Sequence, residues 1–213
     1  TAYDVADRDW SSDVCSSDRP FCQNAEISQS DGDIETAYIS PESLAEKALS
    51  LAPRGNIGVA YTYNEPLVSW EYVRDASRCV RSLGMKNVVV TNGCVNSTVI
   101  EKVLPYIDAM NIDLKGFTRE WYETLGGDFD VVKDTIARSV KKTHVEVTTL
   151  IVPGKNDGED EIRLLAQWVS KIDKKIPLHI TRFFPHWRMP DAEATPVDTV
   201  YNAVSIAREY PPT

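Results

Sequence analysis

The side chains with chemical reach fall into small groups along the 213-residue chain: Cys15, Arg19 and Cys22 near its start, then Thr62, Asn64 and Glu65, Thr91 and Asn92, Asp113 and Lys115, Thr149, and finally Arg182 and His186. Lys115 with Asp113 and Glu65 is the equipment of a Schiff-base lyase of aldolase type, in which a desolvated lysine of lowered pKa attacks a carbonyl. Of the four cysteines, Cys79 falls on or near the apolar face of a helix and reads as a buried structural thiol, and Cys94, after Thr91-Asn92-Gly93, reads first as a packing residue. No basic start followed by an apolar stretch and a small-residue cleavage site is visible, so a disulfide framework is not expected. His144 and His179 have no partner that the sequence names, and His186, in Phe184-Pro185-His186-Trp187, is either a ligand contact or an ordinary loop histidine.

Alternating elements must position these groups. Ser40-Pro41-Glu42 supplies an N-cap hydroxyl, a proline at the first helical position and a first-turn carboxylate, and Leu44, Ala48 and Leu51 continue as one apolar face. Residues 57–61 suit a buried strand, and a helix opens at Pro66, keeping Trp70, Val73, Ala76 and Val80 at helical spacing until Gly84 stops it. The pattern then repeats. Strands are predicted at 88–90, 109–114, 145–152 and 176–183, and helices at 97–104, 129–141, 161–172 and 197–207, the third of these with Glu159, Asp160 and Glu161 at the positive end of its dipole. Apolar strands linked by helices of about three turns mean right-handed βαβ units and a parallel sheet. Doubly wound sheets and β/α barrels both fit. No G-x-G-x-x-G follows the first strand, and the capable groups sit after strand ends, the face on which barrel enzymes build their sites, so a barrel is favoured.

Composition narrows the class. With 42% apolar residues the chain is not intrinsically disordered, and its apolar runs are far shorter than a membrane span, so a globular cytoplasmic protein is expected. A formal charge of -9 without a basic stripe argues against nucleic acid and anionic membranes as partners. That charge is concentrated: residues 1–36 hold nine acids and two bases, a net of -7, leaving -2 for the rest. Residues 1–18, TAYDVADRDWSSDVCSSD, have neither helical nor strand periodicity and carry the near-repeat SSDVCSSD. They read as a non-native leader resembling translated adapter sequence, or as a disordered acidic tail, ahead of one core domain at 19–213.

The segment Arg19-Pro20-Phe21-Cys22-Gln23-Asn24-Ala25-Glu26-Ile27-Ser28-Gln29 resembles the cluster loop of radical S-adenosylmethionine (SAM) enzymes of the pyruvate formate-lyase activating enzyme type, and within them the AmmeMemoRadiSam system branch, which reads C-x-x-x-C-P-F-C-Q-N and then I-S-Q. The likeness continues in Tyr61-Thr62-Tyr63-Asn64-Glu65-Pro66, Val90-Thr91-Asn92-Gly93, the 108–115 segment ending Asp113-Leu114-Lys115, the 145–154 segment, and Arg182-Phe183-Phe184-Pro185, in order over residues 20 to 210. It implies a partial (β/α)6-type TIM-like barrel, its first strand missing. It also implies a [4Fe-4S] cluster held by three thiolates, with the fourth iron chelating SAM, and an electron donor such as flavodoxin or ferredoxin. The reaction so implied is reductive cleavage of SAM to a 5′-deoxyadenosyl radical, which takes hydrogen from a protein glycine or a small molecule.

By the same resemblance, Asn64 and Glu65 lie near the methionine amino group, Thr91 and Asn92 near ribose or carboxylate, Asp113 and Lys115 near the carboxylate, and His186 near adenine or substrate. Cys22 matches the third cluster ligand and Cys15 falls at the first, but Arg19 stands where the second cysteine is expected. Arginine is a cation with no acceptor and cannot replace a thiolate. The chain as written is therefore expected to assemble no stable cluster. The Schiff-base lyase and a non-catalytic binding fragment stay open beside this reading.

Overall fold

The computed structural model describes Pro20, Cys22 and residues 37–210; Cys15, Arg19 and the proposed leader lie outside the described residues. Helix α1 (Pro41–Ser50) starts as its sequence dictates, with the Ser40 hydroxyl accepting the Ser43 N–H at 3.1 Å. Strand β1 (Gly58–Tyr61) follows, then a 3-10 turn at Pro66–Ser69 that leads into α2 (Trp70–Ser82). The helix predicted from Pro66 thus begins one turn late in α-form. Glu65 caps that 3-10 turn through its carboxylate, which accepts the Leu67 N–H.

The chain continues through β2 (Lys86–Thr91), α3 (Ser97–Val103), a 3-10 turn at Leu104–Tyr106, and β3 (Ala109–Asp113). Next come α4 (Arg119–Thr124), α5 (Phe129–Ser139), β4 (His144–Ile151), α6 (Glu159–Ile172), β5 (Leu178–Arg182) and α7 (Val197–Ala207). Among the described α-helices and strands, only α4 has no counterpart in the sequence-based expectation.

All four strand pairings are parallel, and the sheet order is β1-β2-β3-β4-β5. Each crossover therefore steps in the same direction. With right-handed crossovers, that places every connecting helix on one face, whereas a doubly wound sheet needs a reversal of order. The sheet is the wall of a partial barrel, as expected. Burial along the strands agrees: Val89, Met110, Ile112, Val147 and Ile151 are at most 1% exposed beneath the helices, while alternate residues such as Val88, Asn111 and Thr148 are half-buried on the inner face. The main core joins Val73 and Ala76 of α2, Val99 and Ile100 of α3 and Val132 and Ile136 of α5 to the outer faces of β2, β3 and β4. Cys79 belongs to a satellite cluster with Ala45, Ala48 and Met85, and burial pushes its thiol pKa up, as suits a packing role.

Gly93, directly after β2, has a φ of 73°, and a Cβ there would lie 2.7 Å from Ile112 Cγ2 and 3.2 Å from Val132 Cγ1. Only glycine lets the chain turn out of the sheet this close to α5. Among the described residues no helix is long and apolar enough to cross a membrane.

Candidate active site at the C-terminal edge of the sheet

Because the strands are parallel, the segments after Tyr61, Thr91, Asp113, Ile151 and Arg182 open on one edge. This brings Asn64, Glu65, Asn92, Asp113 and Lys115 to a common face. The Cys22 segment reaches the same face: Pro20 O accepts the Arg188 N–H, in the loop after β5, at 3.0 Å, and Cys22 is 7% exposed.

The first strand end is strained where a ligand would approach. Tyr63 and Asn64 have φ of 65° and 51°, the left-handed region, and Asn64 Oδ1 is buried without a hydrogen-bond partner. A buried acceptor left unpaired costs about 1–3 kcal/mol, so this oxygen is the natural mark of a donor brought by a ligand. Glu65 has a different task. Its Oε1 accepts the Thr91 hydroxyl at 2.7 Å and the Leu67 N–H at 3.0 Å, and its Oε2 accepts the Asn92 N–H at 2.7 Å. The carboxylate ties the end of β1 to the end of β2. Thr91 is accordingly turned outward into this knot, 2% exposed, and its oxygen also accepts the Gly93 N–H at 3.1 Å. Asn92 closes a side-chain turn, Oδ1 accepting the Cys94 N–H at 2.7 Å.

At the third strand end, Lys115 Nζ lies 2.7 Å from Asp113 Oδ2, the two side chains being 14% and 22% exposed. This half-buried pair offers both signs of charge at one spot, which suits a ligand that carries an ammonium and a carboxylate. The Lys115 backbone is held from three sides. Its N–H donates to the Tyr122 hydroxyl at 3.0 Å, and its carbonyl accepts from the Trp121 indole at 3.0 Å and from Asn156 Nδ2 at 2.7 Å. Thr149, expected at the site, instead faces the helices, 3% exposed, with its hydroxyl unpartnered. Arg182 is committed to its own loop, Nε donating to Thr195 O at 2.5 Å while the guanidinium lies 4.8 Å from the Phe184 ring centroid. His186 is exposed in that loop, its carbonyl accepting the Met189 N–H.

The two histidines without a partner in sequence acquire one. Glu146, on the inner face of β4, accepts from or pairs with His179 at 2.7 Å and His144 at 3.3 Å, and these contacts hold its carboxyl below the usual carboxylate range. The cluster sits toward the strand N-termini, away from the edge that carries the candidate site. One layer nearer that edge, the Thr148 hydroxyl donates to Asn111 at 2.9 Å.

A sheet of this order, with its polar groups gathered at one edge, defines a barrel-type enzyme scaffold. The sequence comparison specifies which: residues 11–169 match the Radical SAM superfamily, and the chain belongs to it. Membership implies a [4Fe-4S] cluster and SAM as cofactors. Among individual proteins, an uncharacterized protein of Methanocaldococcus jannaschii is 37% identical over 192 residues, covering 88% of this chain and 56% of that protein. The pyruvate formate-lyase 1-activating enzyme of Escherichia coli (strain K12) is 28% identical over 132 residues, covering 57% of this chain and 53% of its own length. The 4-hydroxyphenylacetate decarboxylase activating enzyme of Clostridioides difficile is 25% identical over 122 residues, covering 55% and 39%. The chain spans about half the length of the curated relatives it matches.

Among solved structures, a domain of pyruvate-formate lyase-activating enzyme from Bacteroides vulgatus ATCC 8482 superposes with a TM-score of 0.59 at 19% identity, over 72% of this chain and 94% of that one. TYW1 with a lysine-pyruvate adduct bound gives the same TM-score and identity over 92% of this chain and 70% of its own. At that identity the likeness is one of fold.

The residues present fit the two cofactors unequally. The orphaned Asn64 Oδ1 and the Asp113–Lys115 pair suit the amino-acid end of SAM. The cluster ligands do not fit: a three-thiolate site needs a cysteine where Arg19 stands.

Proposed function

We propose that this chain is the SAM-binding core of a radical SAM enzyme of the pyruvate formate-lyase activating type, of the AmmeMemoRadiSam branch that its Pro20-Phe21-Cys22-Gln23-Asn24 and Ile27-Ser28-Gln29 segments resemble. The observation that carries the reading is the unpaired Asn64 Oδ1 on the same edge as the half-buried Asp113–Lys115 pair. In this reading Asn64 Oδ1 accepts from the SAM ammonium, and the Lys115 ammonium pairs with the SAM carboxylate. Asp113 orients Lys115, Asn92 lines the ribose side, and Glu65 with Thr91 holds the first two strand ends in register. His186 lies toward the adenine or the substrate.

A [4Fe-4S] cluster, where its three cysteines are present, supplies the electron that cleaves the sulfonium. The protein's own work is to bind SAM in one orientation and to exclude water from the edge. In a parent with all three cysteines the partners are a flavodoxin- or ferredoxin-type electron donor and a protein substrate, in a cytoplasmic setting. This chain, with Arg19, holds no stable cluster. Anaerobic reconstitution with iron and sulfide measures both statements: the chain as written is expected to stay far below four irons and four sulfides, and the Arg19→Cys variant to take up more of each. Equilibrium dialysis with labelled SAM tests the binding core, and binding that ignores Lys115→Ala and Asn64→Gly would refute it.

The Schiff-base reading is disfavoured by the Pro20-Phe21-Cys22-Gln23-Asn24 segment, for which an aldolase has no use. Borohydride trapping of a keto acid on Lys115 would restore it.

A further inference from the structure

We infer that Trp121, Tyr122 and Asn156 are positioning residues for Lys115, and that this bracket, rather than the Asp113 contact alone, sets how tightly the edge holds a SAM carboxylate. The inference rests on the SAM-binding reading above. Lys115 stands beyond the last β3 residue, where no strand ladder constrains it. A lysine side chain with four rotatable carbons is poorly aimed unless its own backbone is fixed.

Here every polar group of the Lys115 peptide has a side-chain partner: the Tyr122 hydroxyl on the N–H, and the Trp121 indole and the Asn156 amide on the carbonyl. Asn156 is 2% exposed and also donates to Leu150 O at 2.8 Å while its Oδ1 accepts the Val152 N–H at 2.7 Å. It thus locks the end of β3 to the end of β4. The next residue allows the close approach: a Cβ on Gly116 would lie 2.5 Å from Trp121 Cδ1 and 3.0 Å from Glu161 Oε1. Phe117 N then donates to Glu161 at 2.6 Å, and the Phe117 ring meets Phe129 edge-on at 5.1 Å between centroids. These contacts reach the backbone of residues 115–117, while the Lys115 ammonium meets Asp113. The three contacts fall on the two peptide units that flank the Lys115 Cα, and so fix the root of its side chain from both sides.

The test uses the full chain and two readouts. Tyr122→Phe and Trp121→Phe keep an aromatic ring but remove the polar contact to the Lys115 backbone; Asn156→Asp keeps the Val152 acceptor and sets a carboxylate against two carbonyls. Asn202→Ala, which removes an exposed contact to Glu159, is the control. First, the rate of reductive methylation of Lys115, read by peptide mass spectrometry, reports whether its side chain is held. Second, equilibrium dialysis reports SAM affinity. Each bracket variant is expected to label Lys115 about five- to tenfold faster and to bind SAM about five- to tenfold more weakly, as loss of one hydrogen bond implies, while the control does neither.

Unchanged labelling in Tyr122→Phe and Trp121→Phe overturns the bracket, whatever Asn156→Asp does to folding. Faster labelling with unchanged SAM affinity overturns it too, provided Lys115→Ala weakens binding. If Lys115→Ala leaves SAM affinity intact, the binding reading itself has failed and the inference falls with it.

Discussion

Asn64→Gly separates the ligand reading of the first strand end from a purely structural one. Asn64 holds φ of 51° with Oδ1 buried and unpartnered, so the folded protein carries two costs at one residue. Glycine removes the unsatisfied acceptor, a gain of about 1–3 kcal/mol. It also relieves a left-handed backbone, worth about 1 kcal/mol. Against this stands the greater freedom of glycine in the unfolded chain, roughly 0.5–1 kcal/mol. The net is a variant more stable by about 1–3 kcal/mol, hence a Tm higher by roughly 2–12 °C for a chain of this size. Asn64→Ala removes the same acceptor but keeps a Cβ at positive φ, and is expected to fall about 1 kcal/mol short of the glycine variant. The same substitutions delete the acceptor for the SAM ammonium. A hydrogen bond to a charged group is worth about 1.5–3 kcal/mol, so affinity should drop about tenfold to a hundredfold. Calorimetric melting and equilibrium dialysis on the same preparations give both numbers. An Asn64→Gly protein that melts lower than the parent refutes the unpaired acceptor, and one that binds SAM normally removes Asn64 from the site.

Gly93→Ala forces a Cβ to 2.7 Å from Ile112 at a φ of 73°, and should lower stability by about 2–4 kcal/mol in urea melts. Glu65→Ala leaves the Thr91 hydroxyl and the Leu67 and Asn92 N–H groups unmatched, and a loss of about 3 kcal/mol or more is expected by the same measurement. Two half-buried acids respond to pH with opposite sign. Burial raises the Glu161 pKa above the ordinary 4.5, so its contribution is full below that value and declines as pH rises through the raised one; Glu161→Gln should flatten this limb. His179 and His144 lower the Glu146 pKa, so its contribution is present above 4.5 and lost as pH falls through the lowered value; Glu146→Gln should remove that acid limb, with a small amplitude because the side chain is 37% exposed.

The alternation of elements and the edge that carries the chemistry were legible because they rest on local signals: the Ser40-Pro41 helix start, the apolar runs, and the polar residues that follow each run. What was not legible depends on register and on face. Thr91 and Thr149 follow strand residues that point to the helices, and counting forward by twos from Val89 and Val147 shows that both hydroxyls point outward too. His144 and Glu146 share a face by the same rule, but His179 joins them only through the pairing of β4 with β5, which no local pattern encodes. Helix α4 escaped for another reason. Its six residues bring Trp121 and Tyr122 side by side rather than at helical spacing, and its start rests on one Thr118 cap, the hydroxyl accepting the Trp121 N–H at 3.3 Å. Two of the three residues that hold Lys115, Trp121 and Tyr122, therefore lie in the element with the weakest sequence signature.

The uninterrupted strand order gives the edge an arithmetic. Among the described residues these side-chain ties join neighbouring staves: Glu65 from the first to the second, Thr148 to Asn111 and Asn156 to Lys115 across the third and fourth. Paired substitutions within such a tie should be non-additive, while Asn64 after β1 with Asn156 after β4, three staves apart, should sum simply. Such a wall is altered one stave at a time, so a change in what one loop recognises need not disturb what a distant loop holds.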